Sequence, residues 1–220
     1  MAKHKLARFA ENATFKNLFQ HTDYGRVDPN FPLRGRWRSD YFNNDNPIVL
    51  ELGCGKGDYT IALAKRNPNV NYIGIDRKGA RLWRGCKDAL EGDLKNVAFL
   101  RITIDQIAGY FAAGEVDEIW VTFPDPQIKS ERKRLVSPRF VEHYRKVFPE
   151  QGGCINLKTD SRELYQYVVE SAEGYGWQIL ENVEDVYAQP CADILKEVQT
   201  FYEKMWLAEG RTISFLRIRV

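Results

Sequence analysis

Short apolar runs alternate with amphipathic segments along most of the chain, beginning near Ile48. Runs rich in Ile, Val, Leu and Phe are typical of buried strands, and apolar positions three and four residues apart are typical of helices. The predicted strands span residues 48–52, 71–75, 97–102, 118–123, 154–157, 177–183 and 212–220. The predicted helices span residues 59–66, 78–90, 106–112, 138–147 and 161–173. This alternation predicts an α/β fold with a parallel sheet and crossover helices.

The last two predicted strands, 177–183 and 212–220, have no helix between them that would suit another crossover of the same kind. We therefore expect the sheet to end antiparallel. The full expectation is a seven-stranded, mostly parallel sheet with helices on both faces and an antiparallel C-terminal strand.

The first 46 residues carry Arg, Asn and aromatic side chains without clear periodicity, and they end in a turn-forming run, Asn-Asn-Asp-Asn-Pro, at residues 43–47. We expect a basic, irregular N-terminal arm over residues 1–46 and a single domain over residues 47–220.

The composition narrows the class of protein. A chain of 220 residues with 44% hydrophobic content can bury one sizeable core. The four cysteines form no CxxC pair and the chain has three histidines, so we expect no metal site. Because neither a leader peptide nor a membrane-spanning stretch is evident, we expect a cytoplasmic protein without a membrane partner. Monomer and homodimer both stay open.

The charges are unevenly distributed although the net charge is only +2. Residues 1–38 contain eight Lys or Arg against three acidic residues, and residues 129–139 contain five against one. Such clusters are compatible with solvated surface segments, but two of them also suit a polyanion such as RNA, since cations that neutralise phosphates release counterions.

A glycine-rich turn follows the first strand of the predicted domain, in the run Glu-Leu-Gly-Cys-Gly-Lys-Gly at residues 51–57. Gly53, Gly55 and Gly57 would let the chain turn tightly and let a ligand approach its backbone. A dinucleotide fingerprint needs its third glycine at Asp58, which disfavours NAD. Glu51 suits the cationic end of S-adenosylmethionine better than a pyrophosphate. An ordinary strand-to-helix turn is the alternative.

Two further positions extend this prediction. Asp76 ends the second strand 25 residues after Glu51, where an acidic residue can bind ribose hydroxyls, although a helix N-cap is an equal alternative. The next strand ends near Thr103, where we expect the adenine contact. The glycine turn and Asp76 together favour ribose binding, and with it a Rossmann-like class I methyltransferase fold.

Asp125 stands between two prolines in the run Phe-Pro-Asp-Pro at residues 123–126, after the fourth predicted strand. Ligands of α/β sheets bind beyond the carboxyl ends of the strands, so we expect Asp125 and Lys129 beside the transferable methyl group. A proline-rich turn without function is the alternative.

Several separated segments together resemble the tRNA (guanine-N7)-methyltransferase family over residues 34–220. They are the runs at residues 51–57 and 123–126 with Lys129, Lys-Arg-Leu at 133–135, Thr-Asp at 159–160, and Thr-Phe-Tyr-Glu at 200–203 before Gly210. The chain departs from the family at Gln127 and Ile128, where Trp-Pro is usual, and at Thr103, where an acidic residue is usual.

The resemblance implies methyl transfer from S-adenosylmethionine to N7 of the variable-loop guanine, position 46, of tRNA. It implies that Glu51, Asp76, Thr103 and Asp125 line the cofactor pocket and that Asp125 is catalytic. It places Lys129, Asp160, Thr200, Phe201, Tyr202 and Glu203 at the substrate. Without the resemblance, residues 200–206 would be interpreted as an amphipathic helix.

Other functions stay open at this point. They are methyl transfer to another RNA base or to a small metabolite, and noncatalytic RNA binding by a degenerate methyltransferase fold. A dehydrogenase is a more distant alternative.

Overall fold

The computed structural model describes residues 2–21, 23 and 25–220, with their side chains from residue 6 onward. The strands are β1 (Leu18–Gln20), β2 (Ile48–Leu52), β3 (Asn71–Ile75), β4 (Val97–Arg101), β5 (Glu118–Thr122), β6 (Cys154–Thr159), β7 (Gln178–Val183) and β8 (Ser214–Arg219). The helices are α1 (Ala2–Asn12), α2 (Asp58–Arg66), α3 (Gly79–Glu91), α4 (Ile107–Tyr110), α5 (Pro138–Arg145), α6 (Arg162–Tyr175), α7 (Ile194–Glu197) and α8 (Phe201–Ala208).

One sheet contains all of these strands, in the order β1-β4-β3-β2-β5-β6-β8-β7. Strands β1 to β6 pair in parallel, while β8 pairs antiparallel with both β6 and β7. This confirms the predicted mostly parallel α/β fold and its antiparallel end. The predicted strand number was one too low, because β1 has only three residues and shows no period in the sequence.

The two faces of the sheet are covered by separate apolar clusters. Neighbouring residues of β2 belong to different clusters, Leu50 to one and Val49 to the other, as the two-residue period of a strand requires. All five residues of β2 and of β3 are buried. A strand covered on both faces therefore corresponds to a continuous apolar run in the sequence rather than an alternating one.

The N-terminal segment contributes to the core, which differs from the irregular arm expected for residues 1–46. Its Met1, Thr22 and Tyr24 lie outside the described residues. Trp37 is fully buried and donates from Nε1 to the carbonyl of Tyr110 over 3.0 Å. Asn12 Nδ2 donates to the carbonyl of Gly79 over 2.8 Å and so holds the end of α1 against the start of α3. These bonds from side chain to backbone join residues far apart in sequence, which is why periodicity does not reveal them.

The carboxyl ends of β2, β3 and β5 meet at one edge of the sheet, since the three strands are parallel neighbours. The glycine turn, Asp76 and residues 123–126 follow these ends directly. Among the described residues, no helix is both long and apolar enough to cross a membrane.

Candidate active site

Glu51 forms the buried floor of the site. Its Oε1 accepts a hydrogen bond from Thr122 Oγ1 at 2.8 Å, and its Oε2 accepts from the backbone N–H of Thr60 at 2.8 Å and from the Thr60 hydroxyl. Burial raises the pKa of Glu51 to about 7, although the bonds from Thr60 and Thr122 oppose that rise. A cation entering the site would favour the charged carboxylate.

The three glycines of the turn have two different roles. Gly53 and Gly55 have φ of +72° and +60°, and a Cβ there would meet no other atom within 3.8 Å and 4.0 Å respectively. Both line a cavity. A Cβ on Gly57 would lie 2.7 Å from the ring of Phe99. Gly57 is not in the cavity wall and packs the turn against Phe99 of β4, so its cofactor contact stays a prediction.

Asp76 stabilises the glycine turn through its carboxylate. One of its carboxylate oxygens accepts from the N–H of Gly55 at 3.0 Å, and the other accepts from the N–H of Lys78 at 2.7 Å. The Asp76 carboxylate therefore stabilises the glycine turn and also binds the backbone just before α3. Neither Asp76 nor Thr103 lines the cavity, so their ribose and adenine contacts stay predictions.

The cavity has about 710 Å³ of empty space, part of it open to solvent. One wall is the glycine turn with Glu51 and Asp58, and a second is the end of β5 with Thr122 and Phe123. The third wall, at the start of α8, comprises Thr200, Phe201 and Tyr202. The lining also contains the cations Lys56 and Arg81. Side chains of both charges, glycine backbone and aromatic rings fit a ligand that has both positive and negative groups and a planar ring system.

A groove adjoins this cavity and shares Arg81, Phe123 and Tyr202 with it. Asp125, expected to be catalytic and to line the cofactor pocket, and Asp160, expected at the substrate, both line the groove. Asp125 is exposed, and its Oδ1 accepts from the N–H of Gln127 at 3.0 Å. The structure therefore places Asp125 beside the cofactor cavity and not within it.

The basic loop after Asp125 is only partly available to a ligand. Lys129 is exposed but lines neither the cavity nor the groove. Arg134, grouped with Arg132 and Lys133 as an RNA contact from its charge, is 2% exposed and forms ion pairs with Glu131 and Glu163. It braces the loop, because its Nε donates to the carbonyl of Pro126 over 3.0 Å.

Glu203, expected at the substrate, is fully buried and absent from the lining of either space. Its Oε1 lies 2.5 Å from Nζ of Lys158, which is also fully buried. Burial lowers the pKa of Lys158, and the charge of Glu203 opposes that shift. Sequence reasoning missed Lys158, because the strand was predicted to end at residue 157, one residue before it. A lysine at the end of a buried strand signals a buried partner.

Comparisons with known proteins show the family of the chain. A family model described as "Putative methyltransferase" matches residues 45–216. The tRNA (guanine-N(7)-)-methyltransferase of Christiangramia forsetii is 47% identical over 100% of this chain and 99% of its own length. That of Porphyromonas gingivalis is 48% identical over 92% of this chain and 84% of its own length.

Among solved structures, the 16S rRNA methyltransferase KamB superposes with a TM-score of 0.63 at 17% identity, covering 84% of this chain and 91% of KamB. That likeness concerns the fold alone. With its Rossmann-like fold and this level of identity to curated relatives, the chain belongs to the tRNA (guanine-N(7)-)-methyltransferase family.

Proposed function

We propose that this protein transfers a methyl group from S-adenosylmethionine to N7 of the variable-loop guanine of tRNA, in the cytoplasm. The observation that carries the proposal is the pairing of two spaces. A cavity with a carboxylate floor adjoins a groove lined by Asp125, and the two share Arg81, Phe123 and Tyr202. A cofactor and an acceptor base can therefore meet at one wall.

S-adenosylmethionine supplies an electrophilic methyl group on a sulfonium. Glu51 and Asp58 would hold its cationic end, and the backbone at Gly53 and Gly55 would allow close approach. Asp76 would keep the turn in shape through its bond to Gly55.

Guanine N7 has an in-plane lone pair and no proton, so the acceptor needs no general base. Positioning of the base then carries most of the rate enhancement. Asp125 either accepts hydrogen bonds from the N1 and N2 donors of guanine or stabilises the positive charge that develops on the base. Asp160 and Tyr202 line the same groove and would contact the nucleotide, with Lys129 nearby in sequence.

The test uses unmodified tRNA and methyl-tritiated S-adenosylmethionine. We expect label in tRNA, and chain cleavage in the variable loop after borohydride reduction and aniline treatment. Label at another base would instead support an RNA methyltransferase of different base specificity. The absence of any transfer, with cofactor binding intact, would support noncatalytic RNA binding.

A further inference from the structure

A single ammonium group lies behind the site and contacts three of the elements around it. Lys158, on β6, is fully buried, and its Nζ donates to the carbonyl of Leu195 over 2.6 Å and to the hydroxyl of Tyr59 over 3.0 Å. Its third close partner is Glu203, at 2.5 Å. A fourth and longer bond joins Nζ to the carbonyl of Val198 over 3.4 Å. The acceptors around the ammonium thus lie on α2, on α8, and on α7 with the residue that follows it.

Two of these partners are close in sequence to a wall of the site. Tyr59 lies in the first turn of α2, directly after the glycine turn. Glu203 follows residues 200–202, which form the third wall of the cavity. In addition, Phe123, shared by cavity and groove, donates from its N–H to the carbonyl of Lys158 over 2.8 Å, and its ring centre is 5.7 Å from Nζ. Lys158 therefore links the walls on both sides of the cofactor cavity.

Glu203 transmits this anchoring to the cavity wall. Its N–H donates to Thr200 Oγ1 over 3.1 Å and so fixes the first turn of α8. Its Oε1 also accepts from the hydroxyl of Tyr187 at 2.8 Å. The other oxygen, Oε2, is buried without a hydrogen-bond partner among the described residues.

An incompletely satisfied buried ion pair is a poor source of stability, since apolar residues of similar volume often serve a core equally well or better. The presence of such a pair directly behind the cavity indicates a geometric role. Neither residue lines the cavity or the groove, so neither can touch the reacting atoms.

We propose that Lys158 and Glu203 are positioning residues, which hold residues 200–202 and Phe123 in the arrangement that joins the cofactor cavity to the base groove. The expected change in kcat and KM rests on the proposed function. The expected change in affinity for the cofactor can be measured without tRNA.

The experiment compares Lys158→Met, Glu203→Gln and the double variant Lys158→Met/Glu203→Leu with the wild-type protein. Calorimetry measures the affinity for S-adenosylhomocysteine, thermal unfolding measures Tm, and methyl transfer gives kcat and KM. The single Lys158→Met variant leaves a buried charge unpaired and should lower Tm strongly. The double variant removes both charges and should recover most of that Tm.

The double variant separates a positioning role from a purely structural one. We expect its affinity for S-adenosylhomocysteine to stay about tenfold or more below wild type and its kcat/KM to fall on the order of a hundredfold, despite the recovered Tm. Glu203→Gln, which keeps an acceptor for Lys158, should lose less of both. Arg217→Met is the matched control, because Arg217 pairs with Glu118 over 2.7 Å between β8 and β5, outside the cavity wall.

Recovery of affinity and kcat/KM together with Tm in the double variant would overturn the proposal and leave the pair a core contact. Wild-type affinity and wild-type kcat/KM in both single variants, Glu203→Gln and Lys158→Met, would also overturn the proposal. A wild-type protein that binds S-adenosylhomocysteine but does not methylate tRNA would refute the proposed function instead, and the affinity comparison would still decide the role of the pair.

Discussion

Asp125 lies in a loop whose backbone is strained on both sides of it. Phe123 and Gln127 both have φ of +48°, a left-handed conformation that side chains with a Cβ rarely adopt. Such conformations cost about 1–3 kcal/mol each and persist where the surrounding structure enforces them. Here Arg134 binds the carbonyl of Pro126 and Asp125 binds the N–H of Gln127. The loop thus presents an exposed carboxylate in one fixed place.

For Asp125→Ala we expect loss of turnover by at least about a hundredfold, with affinity for S-adenosylhomocysteine nearly unchanged. The reason is that Asp125 lines the groove and not the cofactor cavity. Single-turnover methyl transfer and calorimetry measure the two effects. Asp125→Asn is the control for loop shape, since its amide oxygen can still accept from the N–H of Gln127. Activity near wild type in both variants would remove Asp125 from the mechanism.

Glu51 should make cofactor binding depend on pH. Its pKa of about 7 lies above the ordinary value of 4.5, because burial disfavours the charged form. The cofactor cation favours the charged carboxylate, so affinity should rise as pH increases through about 7. The stability of the free protein should change in the opposite direction. The folded state binds the Glu51 proton more tightly than the unfolded state, so the contribution of Glu51 to the free energy of unfolding decreases as the pH rises from about 4.5 to about 7.

Calorimetric titration with S-adenosylmethionine between pH 5.5 and 8.5, together with Tm of the free protein, measures both effects. Glu51→Gln should flatten both profiles, because it removes the titrating group and keeps a hydrogen-bonding side chain. The charge of the neighbouring Asp58 is the same in the wild type and in Glu51→Gln, so a difference between the two profiles belongs to Glu51. A pH dependence of affinity that is the same in Glu51→Gln would assign it to another group.

At the scale of elements, the glycine turn combines a ligand surface with a packing contact. Gly55→Ala should weaken S-adenosylhomocysteine binding more than it lowers stability, because its Cβ would project into open space. Gly57→Ala should instead lower Tm markedly, because its Cβ would collide with Phe99 at 2.7 Å. Both variants share the strain of a positive φ, of about 1–2 kcal/mol.

Comparison of Tm and affinity in the two glycine variants measures this division of roles. Adding Phe99→Leu to Gly57→Ala should recover part of the lost Tm, since a smaller side chain leaves room for the Cβ. An equal loss of affinity and equal stability in the two single variants would contradict the distinction.

The sequence was sufficient to predict the elements whose burial depends on local pattern. β2 and β3 were predicted with their observed bounds, because strands buried on both faces are continuous apolar runs. The start of α8 was also consistent with the amphipathic helix considered for residues 200–206. β1 could not be predicted, since its three residues become a strand only by pairing with β4.

The same limit applies to side chains of the site. Glu51 and Asp125 were placed by motifs that specify local backbone geometry. Whether a charged residue faces a ligand or a buried partner depends on segments distant in sequence. Glu203 of α8 meets Lys158 of β6, and Arg134 meets Glu163 of α6. Neither the motif at Glu203 nor the charge of Arg134 could reveal these partners, so the resemblance placed Glu203 at the substrate and the charge cluster suggested an RNA contact for Arg134.

At the scale of the whole molecule, ion pairing decides which cations remain for RNA. Arg134 and Arg139 of the basic loop are paired with carboxylates, whereas no ion pair joins Arg132 or Lys133 to the described residues. A second set of exposed cations, Arg77, Lys78 and Arg81, follows β3 at the start of α3, and Arg81 lines both the cavity and the groove. The two cationic segments follow β3 and β5, and β2 lies between these strands in the sheet.

We expect the double variant Arg77→Gln/Arg81→Gln to bind tRNA more weakly and with a shallower salt dependence. For every phosphate that the variant no longer neutralises, the slope of log K against log salt should decrease by about 0.7–0.9. Lys65→Gln/Lys146→Gln is the matched control, because both lysines are exposed near the C-terminal ends of α2 and α5, at the opposite edge of the sheet. Binding titrations of both variants at several salt concentrations measure the slopes. Equal slopes would place the RNA backbone away from α3, whereas a reduction confined to Arg77→Gln/Arg81→Gln means that the tRNA backbone contacts the start of α3, beside the groove that Arg81 lines.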